Sequence, residues 1–363
     1  MSIFDVRHQP RAQKILQRAL ACGRVPHAYL FHGPDGVGRE MLALRLATVM
    51  LCERPVETRK APHPELADFD GVWRDACGKC KDCVLVRADT HPDLHRVYRE
   101  LRKHHPDSTV RQRVSQELGV DVIRHFLLDA VAAKPFRGRA KVFIVREADL
   151  LTTEAQSALL KTLEEPPRTT FLILISAGLN DLLPTTRSRC QHVPFSPLPL
   201  DFVAARVADL TGDLSKDQAH RYALLADGSL GTALRFAEDG IAANQESVDS
   251  TLREFGRLGP MQVSKRWYDE AKGLGEAFAR RDPGITDTEA QRRGLKLILS
   301  LVASALDARL RGSVESSATK TGTAAGIAKA IQAVAEAERH IDQNANVQLA
   351  VDAMAIRLAR LLA

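Results

Sequence analysis

Gly33-Pro34-Asp35-Gly36-Val37-Gly38-Arg39-Glu40 is the stretch from which this chain is read. It follows an apolar run, His27-Ala28-Tyr29-Leu30-Phe31-His32, and precedes a helix-periodic segment at 41–51. Strand, glycine-rich turn and helix in that order spell a phosphate-binding loop. In a working loop the backbone N–H groups wrap the phosphates, a lysine reaches the outer ones, and a Ser or Thr hydroxyl holds magnesium. Gly33, Gly36 and Gly38 stand in place, but the last two roles fall to Arg39 and Glu40. Arg39 keeps a positive charge on a bulkier planar head, whereas Glu40 has no hydroxyl and adds negative charge where phosphates belong. The loop is therefore expected to keep its fold, with no ATP in its own site.

Outward from the loop, residues 9–23 carry Ile15, Leu16, Ala19 and Leu20 at helical spacing and end at a glycine. On the other side, Leu42, Leu46, Val49 and Met50 give the loop helix one apolar face. Residues 94–98 read as a short strand, 99–116 as a polar loop containing His104 and His105, and 120–133 as a helix striped by Ile123, Leu127 and Val131. Gly138 and Arg139 turn the chain into Lys141-Val142-Phe143-Ile144-Val145, an apolar strand suited to the centre of a parallel sheet. A nucleotide hydrolase ends such a strand in acids, one for magnesium and one for the attacking water. Here Arg146 takes the metal position and Glu147 remains, while Asp149 is out of register. A helix at 153–163 capped by Thr152 or Thr153, a buried strand at 171–176 and a last strand at 191–195 complete the alternation.

The cysteines need their own reading. Cys77, Cys80 and Cys83 stand at CxxCxxC spacing with Cys52 upstream, and four thiolates suit one tetrahedral structural zinc in a module at 52–83. A redox CxxC pair or inert buried thiols are the alternatives, although a redox pair would leave two of these cysteines without a task. Cys22 and Cys190 read as small core residues.

Beyond Pro197 and Pro199 the strand signal ends, and helical periodicity continues with a Gly/Ser/Thr-rich break at 312–326. The expected organisation is an α/β domain at 1–198, a small helical domain at 199–242 and an all-α domain at 243–363. At 363 residues, 45% hydrophobic and 26% charged, the chain has a globular composition. A net charge of +6 leans mildly toward an acidic or nucleic-acid partner, and 5% aromatics disfavours a base-stacking platform. No apolar run is long enough for a bilayer, and the first residues lack a signal-peptide core. A cytoplasmic protein without a membrane partner is expected.

Taken together these segments resemble bacterial clamp-loader subunits of the AAA+ class, most closely the delta prime family of DNA polymerase III. The resemblance rests on residues 27–31, the four cysteines, Ala158-Leu159-Leu160-Lys161-Thr162-Leu163-Glu164-Glu165-Pro166-Pro167, Ser188-Arg189-Cys190 and, near the end, Asn344-Ala345-Asn346-Val347-Gln348-Leu349-Ala350. It implies an AAA+ α/β domain, a small helical lid and a helical oligomerisation collar. It also implies a hetero-oligomer with gamma/tau ATPase subunits and a delta subunit, acting on a sliding clamp and primer-template DNA. In that family the Ser-Arg-Cys arginine is a finger reaching ATP on the neighbouring subunit, here Arg189; a surface basic patch with Arg187 is the plainer alternative. The family's ATPases also carry an arginine after Gly-Ser-Leu, where this chain has Gly231. With lysine, magnesium carboxylate and that arginine all replaced and the finger kept, the resemblance implies a subunit of the DNA polymerase holoenzyme that is not itself an active ATPase. The other readings are an ATP-hydrolysing gamma/tau-like motor subunit and a stand-alone zinc-containing nucleic-acid-binding protein.

Overall fold

The computed structural model describes residues 2–112, 117–137, 139–212, 214–281, 285–315, 321–343 and 346–362. It divides into two compact units, Met1–Val203 with Asp227–Thr232, and Ala204–Ala226 with Ala233–Ala363.

The first unit opens with α1 (Pro10–Ala21), β1 (Ala28–His32) and α2 (Arg39–Leu51). A small antiparallel pair follows, β2 (Val56–Thr58) with β3 (Trp73–Asp75), and then α3 (Lys81–Arg87) and β4 (Leu94–Val97). The stretch after Tyr98, expected to be a loop, winds instead into a 3-10 turn at Arg99–His104 and a short helix α4 (Ser108–Gln112). Asp107 starts α4 by accepting hydrogen bonds from the N–H and hydroxyl of Thr109, a local cap that periodicity does not reveal. Residues 113–116 of that expected loop, and Gly138, lie outside the described residues.

A continuous helix then runs through α5 (Val120–Ile123), a π turn (Arg124–Leu128) and α6 (Asp129–Ala132). After it come β5 (Lys141–Val145), α7 (Thr153–Glu164), β6 (Thr170–Ser176), α8 (Pro184–Arg187) and β7 (Gln191–Pro194). Thr152 caps α7, its hydroxyl accepting from Ala155 N–H at 3.2 Å. Five parallel strands order as β4-β5-β6-β1-β7, which sets β6 in the centre and β5 beside it. Because side chains alternate across a strand, Leu30, Phe143, Val145, Leu172 and Leu174 share one face. They form a dry core with Ile123, Leu127, Leu159 and Leu163 from the helices laid on it. Crossovers of this kind put every strand end, including the glycine loop after β1, at one edge of the sheet.

The segment between Cys52 and Cys77 has a task in this unit. Trp73 is buried edge-on against Phe4 at 5.5 Å between ring centres, and Phe69 lies 4.4 Å from it. The buried Gln17 amide of α1 accepts from Arg74 N–H at 2.7 Å and donates to Arg74 C=O at 2.8 Å, like one more strand residue. Gln17→Ala strips both partners from Arg74, so a loss of about 1–3 kcal/mol in urea-unfolding stability is expected.

Cys22 is corrected by the structure. The buried stripe of α1 runs through Ala12, Gln13, Leu16, Gln17 and Leu20, and position 22 falls off it, so this thiol is exposed. Cys190 is half-buried against the sheet core, where burial pushes its thiol up to about 12.

The second unit is helical among its described residues. It holds most of α9 (Leu200–Thr211), α10 (Lys216–Leu225), most of α11 (Leu230–Glu238), α12 (Ile241–Arg253), α13 (Pro260–Arg281), α14 (Asp287–Glu315), α15 (Thr321–Asp342) and α16 (Val347–Leu362). Trp267, Leu295, Ile298, Val302, Val334, Val351 and Leu358 are buried in its core. The break expected at 312–326 shrinks, since α14 reaches Glu315 and α15 starts at Thr321; residues 316–320 lie outside the described ones. Within the final family segment, Asn344 and Ala345 also lie outside the described residues, and α16 begins at Val347. No described helix is long and apolar enough to cross a membrane.

Candidate functional site

The glycine loop is shaped by its own protein. A Cβ at Gly33 would sit 2.4 Å from the Phe195 carbonyl oxygen, so only glycine lets the loop pass the end of β7. Gly36, at φ +68°, faces the turn Ser229-Leu230-Gly231: Gly231 N–H donates to its carbonyl at 3.1 Å, and a Cβ there would meet Ser229 Oγ at 2.4 Å. The space beside this glycine is filled by the Ser229 hydroxyl and the Gly231 backbone.

Arg39 does not reach outward as a lysine would. It is 6% exposed, donates from Nη1 to the Ser176 carbonyl at the end of β6, and pairs through Nη2 with Asp35. Burial pulls its pKa below the ordinary arginine value, and Asp35 opposes that. Its guanidinium is a strut between loop and sheet.

At the two positions that hold magnesium in a working site the structure places an ion pair. Arg146 Nε lies 3.2 Å from Glu40 Oε2, and the same guanidinium rests over the Tyr98 ring, 5.4 Å from its centre. Magnesium needs oxygen ligands near 2.1 Å, and a guanidinium against the Glu40 carboxylate would repel the dication. Glu147, the acid position that would polarise water, has a left-handed backbone at φ 53°, and its Oε1 lies 3.5 Å from Arg99 Nε. Burial raises its pKa, with Arg99 countering. Asp149 Oδ1 accepts from Ala177 N–H at 3.1 Å and so anchors the loop after β6. The residues at these positions supply no lysine ammonium, no hydroxyl and no metal-facing carboxylate pair.

Arg189 is placed differently. It follows α8 on the surface, its side chain 34% exposed, with Nη1 donating to Thr185 C=O at 2.8 Å and Nη2 2.5 Å from Glu164 Oε1 at the end of α7. Arg187, which sequence made a possible partner in a basic patch, bonds back to the Leu179 carbonyl and to Asn180 Oδ1 at 2.9 Å.

Cys52, Cys77, Cys80 and Cys83 come together as one cluster, with all four sulfurs within 4.8 Å of one another. Cys52 and Cys80 sulfurs are 3.8 Å apart. Zinc–sulfur bonds of about 2.3 Å at tetrahedral angles separate sulfurs by about 3.8 Å, so the cluster fits that ion. Backbone N–H groups point at the sulfurs: Cys77 to Cys52 Sγ at 3.3 Å, Cys80 to Cys77 Sγ and Cys83 to Cys80 Sγ at 3.4 Å. Hydrogen bonds from the Lys79 and Cys80 backbone lower the Cys77 thiol to about 6, whereas burial raises those of Cys52 and Cys83. A bound cation would supply the charge that makes all four thiolates favourable. Around the cluster, Arg139 donates to the Cys52 carbonyl at 2.9 Å, and buried Asp82 meets His91 Nε2 at 3.2 Å and Arg137 Nε, tying α3 to the sheet.

Two pairings, Glu40 with Arg146 and Glu164 with Arg189, were not anticipated from sequence. The signal for the first was present: opposite charges had replaced two residues that converge on one metal. The second joins residues whose sequence separation carries no periodicity.

Comparison with known proteins adds lineage. The family described as DNA polymerase III, delta subunit, matches residues 8–199. Subunit delta prime of DNA polymerase III from Pseudomonas aeruginosa is 32% identical over 226 residues, covering 61% of this chain and 59% of that protein. The Bacillus subtilis delta prime subunit is 25% identical over 355 residues, covering 94% and 93%. Subunit gamma/tau of Mycobacterium tuberculosis is 30% identical over 267 residues, covering 72% of this chain and 41% of that protein. The chain thus spans less than two thirds of the Pseudomonas and Mycobacterium proteins.

Proposed function

From a chain that belongs to the DNA polymerase III delta-subunit family, among clamp-loader subunits of the delta prime type, we propose a non-hydrolysing clamp-loader subunit that supplies a catalytic arginine to its neighbour. The observation that carries this reading is the Glu40–Arg146 ion pair at 3.2 Å, because it replaces both magnesium-holding positions at once and neutralises them against each other. The chain's own loop then serves as a folded corner of the sheet. Arg39, buried against Ser176 and Asp35, braces it.

Arg189 carries the remaining chemistry. Arginine stays charged at any working pH, and its fork can stabilise charge spreading over a phosphoryl group in transfer. On the surface beyond α8, where it pairs with Glu164, it would be presented to ATP bound to a gamma/tau-type ATPase subunit packed against this face. Hydrolysis there would be coupled to loading a sliding clamp on primer-template DNA, with a delta subunit completing the assembly. Residues 199–242 would form the lid and 243–363 the oligomerisation collar, the helical second unit supplying the faces for such packing. The four cysteines would hold a structural zinc: with four sulfurs in its shell, the ion has no open position for water or substrate.

Relatives include gamma/tau subunits, so the motor reading is the one to exclude. Isothermal titration of the purified chain with Mg-ATP should show no binding at micromolar concentrations and no turnover. Micromolar affinity with hydrolysis would make this chain a motor subunit and sink the proposal.

A further inference from the structure

The contact between Arg189 and Glu164 is a second part of the device. Glu164 is the last residue of α7, where the unpaired carbonyls of the helix end disfavour a carboxylate. The cost is offset by Arg189, whose Nη2 lies 2.5 Å from Glu164 Oε1 while Nη1 donates to Thr185 C=O at 2.8 Å. The guanidinium is thereby held at two points, on α7 and on α8, in one orientation.

Glu164 is exposed and Arg189 half-buried, at 48% and 34% side-chain exposure, so the pair is a weak, solvent-screened contact. A nucleotide triphosphate carries several negative charges and recruits arginine through charge-assisted, often bidentate bonds. It would outcompete one solvated carboxylate. We propose that Glu164 is the resting partner of Arg189: it engages the fork on the isolated subunit and is exchanged for the phosphates of the nucleotide on the neighbouring subunit. This inference rests on the arginine-finger reading above.

In the complex reconstituted with its ATPase subunits, Glu164→Gln keeps size and a carbonyl acceptor but removes the competing charge. If exchange precedes chemistry, breaking the pair is a cost of binding alone. The variant should then raise kcat/KM for ATP about fivefold through a lower KM, with kcat unchanged; fivefold corresponds to ~1 kcal/mol. In an Arg189→Ala background the same substitution should change nothing, which separates exchange from any general role of Glu164 in the fold. An unchanged or reduced kcat/KM, or an equal effect without Arg189, overturns the proposal. If Arg189→Ala alone leaves hydrolysis untouched, the finger reading itself fails. If it abolishes hydrolysis while Glu164→Gln has no effect, only the exchange fails.

Discussion

Arg189→Ala should lower ATP hydrolysis at the adjoining site of the assembled clamp loader by about a thousandfold, ~4 kcal/mol of transition-state stabilisation, while the complex still forms. The size follows from the task. The phosphates are charged throughout, but that charge redistributes over the transferring and leaving oxygens in transfer, and a guanidinium delivered across an interface meets the change in a site from which water is largely excluded. Assembly should survive because, among the described residues, the side chain contacts Glu164, Thr185 and Ser188 near the surface. The isolated variant should therefore lose no more than about 1 kcal/mol of stability, the worth of one exposed pair. Arg189→Lys is the informative companion. Lysine keeps the charge but loses the planar fork, so recovery of only a small part of the rate would show that two-point geometry matters. Hydrolysis measured with the variant complex checks both, and wild-type rates with Arg189→Ala would refute the role.

The same substitution separates the readings of the glycine loop. If this chain were a motor, removing Arg189 would leave hydrolysis at its own loop intact. The Glu40–Arg146 pair and the buried strut of Arg39 argue against that, because the pair occupies the metal-holding positions and Arg39 turns in to Ser176 rather than outward to a phosphate.

How far the sequence reached depended on the kind of order involved. Parallel strands and their helices were legible because burial on both faces writes continuous apolar runs, as in Lys141-Val142-Phe143-Ile144-Val145, and because the crossover helices keep one stripe, as at Ile123, Leu127 and Val131. The short helix α4 was not legible, since one aspartate cap at Asp107 decided it rather than a pattern. At the site, substitutions at Arg39, Glu40 and Arg146 were visible one by one, but their mutual arrangement was not. That Arg39 turns inward to Ser176 while Arg146 turns to Glu40 depends on where strand ends converge, which local spacing does not encode. Cys22 failed for the opposite reason: its residue type predicted burial, and its phase on α1 overruled it.

Metal analysis of the freshly purified chain should find about one zinc per molecule, and Cys80→Ser should lose it together with much of the stability of the first unit. Cys80 is central to the cluster: its sulfur is 3.8 Å from that of Cys52, it accepts from Cys83 N–H, and it caps α3. Serine replaces a thiolate with a harder, neutral hydroxyl that zinc binds poorly. Structural zinc contributes apparent binding free energies of about 10–16 kcal/mol in small modules, so forfeiting even part of that exceeds the typical effect of a core truncation. The loss would propagate. Cys52 follows α2, the helix after the glycine loop, and α3 is tied through Asp82 to His91 and Arg137, ahead of β4 and β5. Releasing the cluster therefore loosens the corner that the loop braces. A chelator at mildly acidic pH should reproduce the effect on the wild-type chain, because protons compete with zinc for thiolates that burial already disfavours at Cys52 and Cys83. Thermal unfolding of the Cys80→Ser chain at the wild-type midpoint, or purified protein free of zinc, would leave the four cysteines as inert thiols.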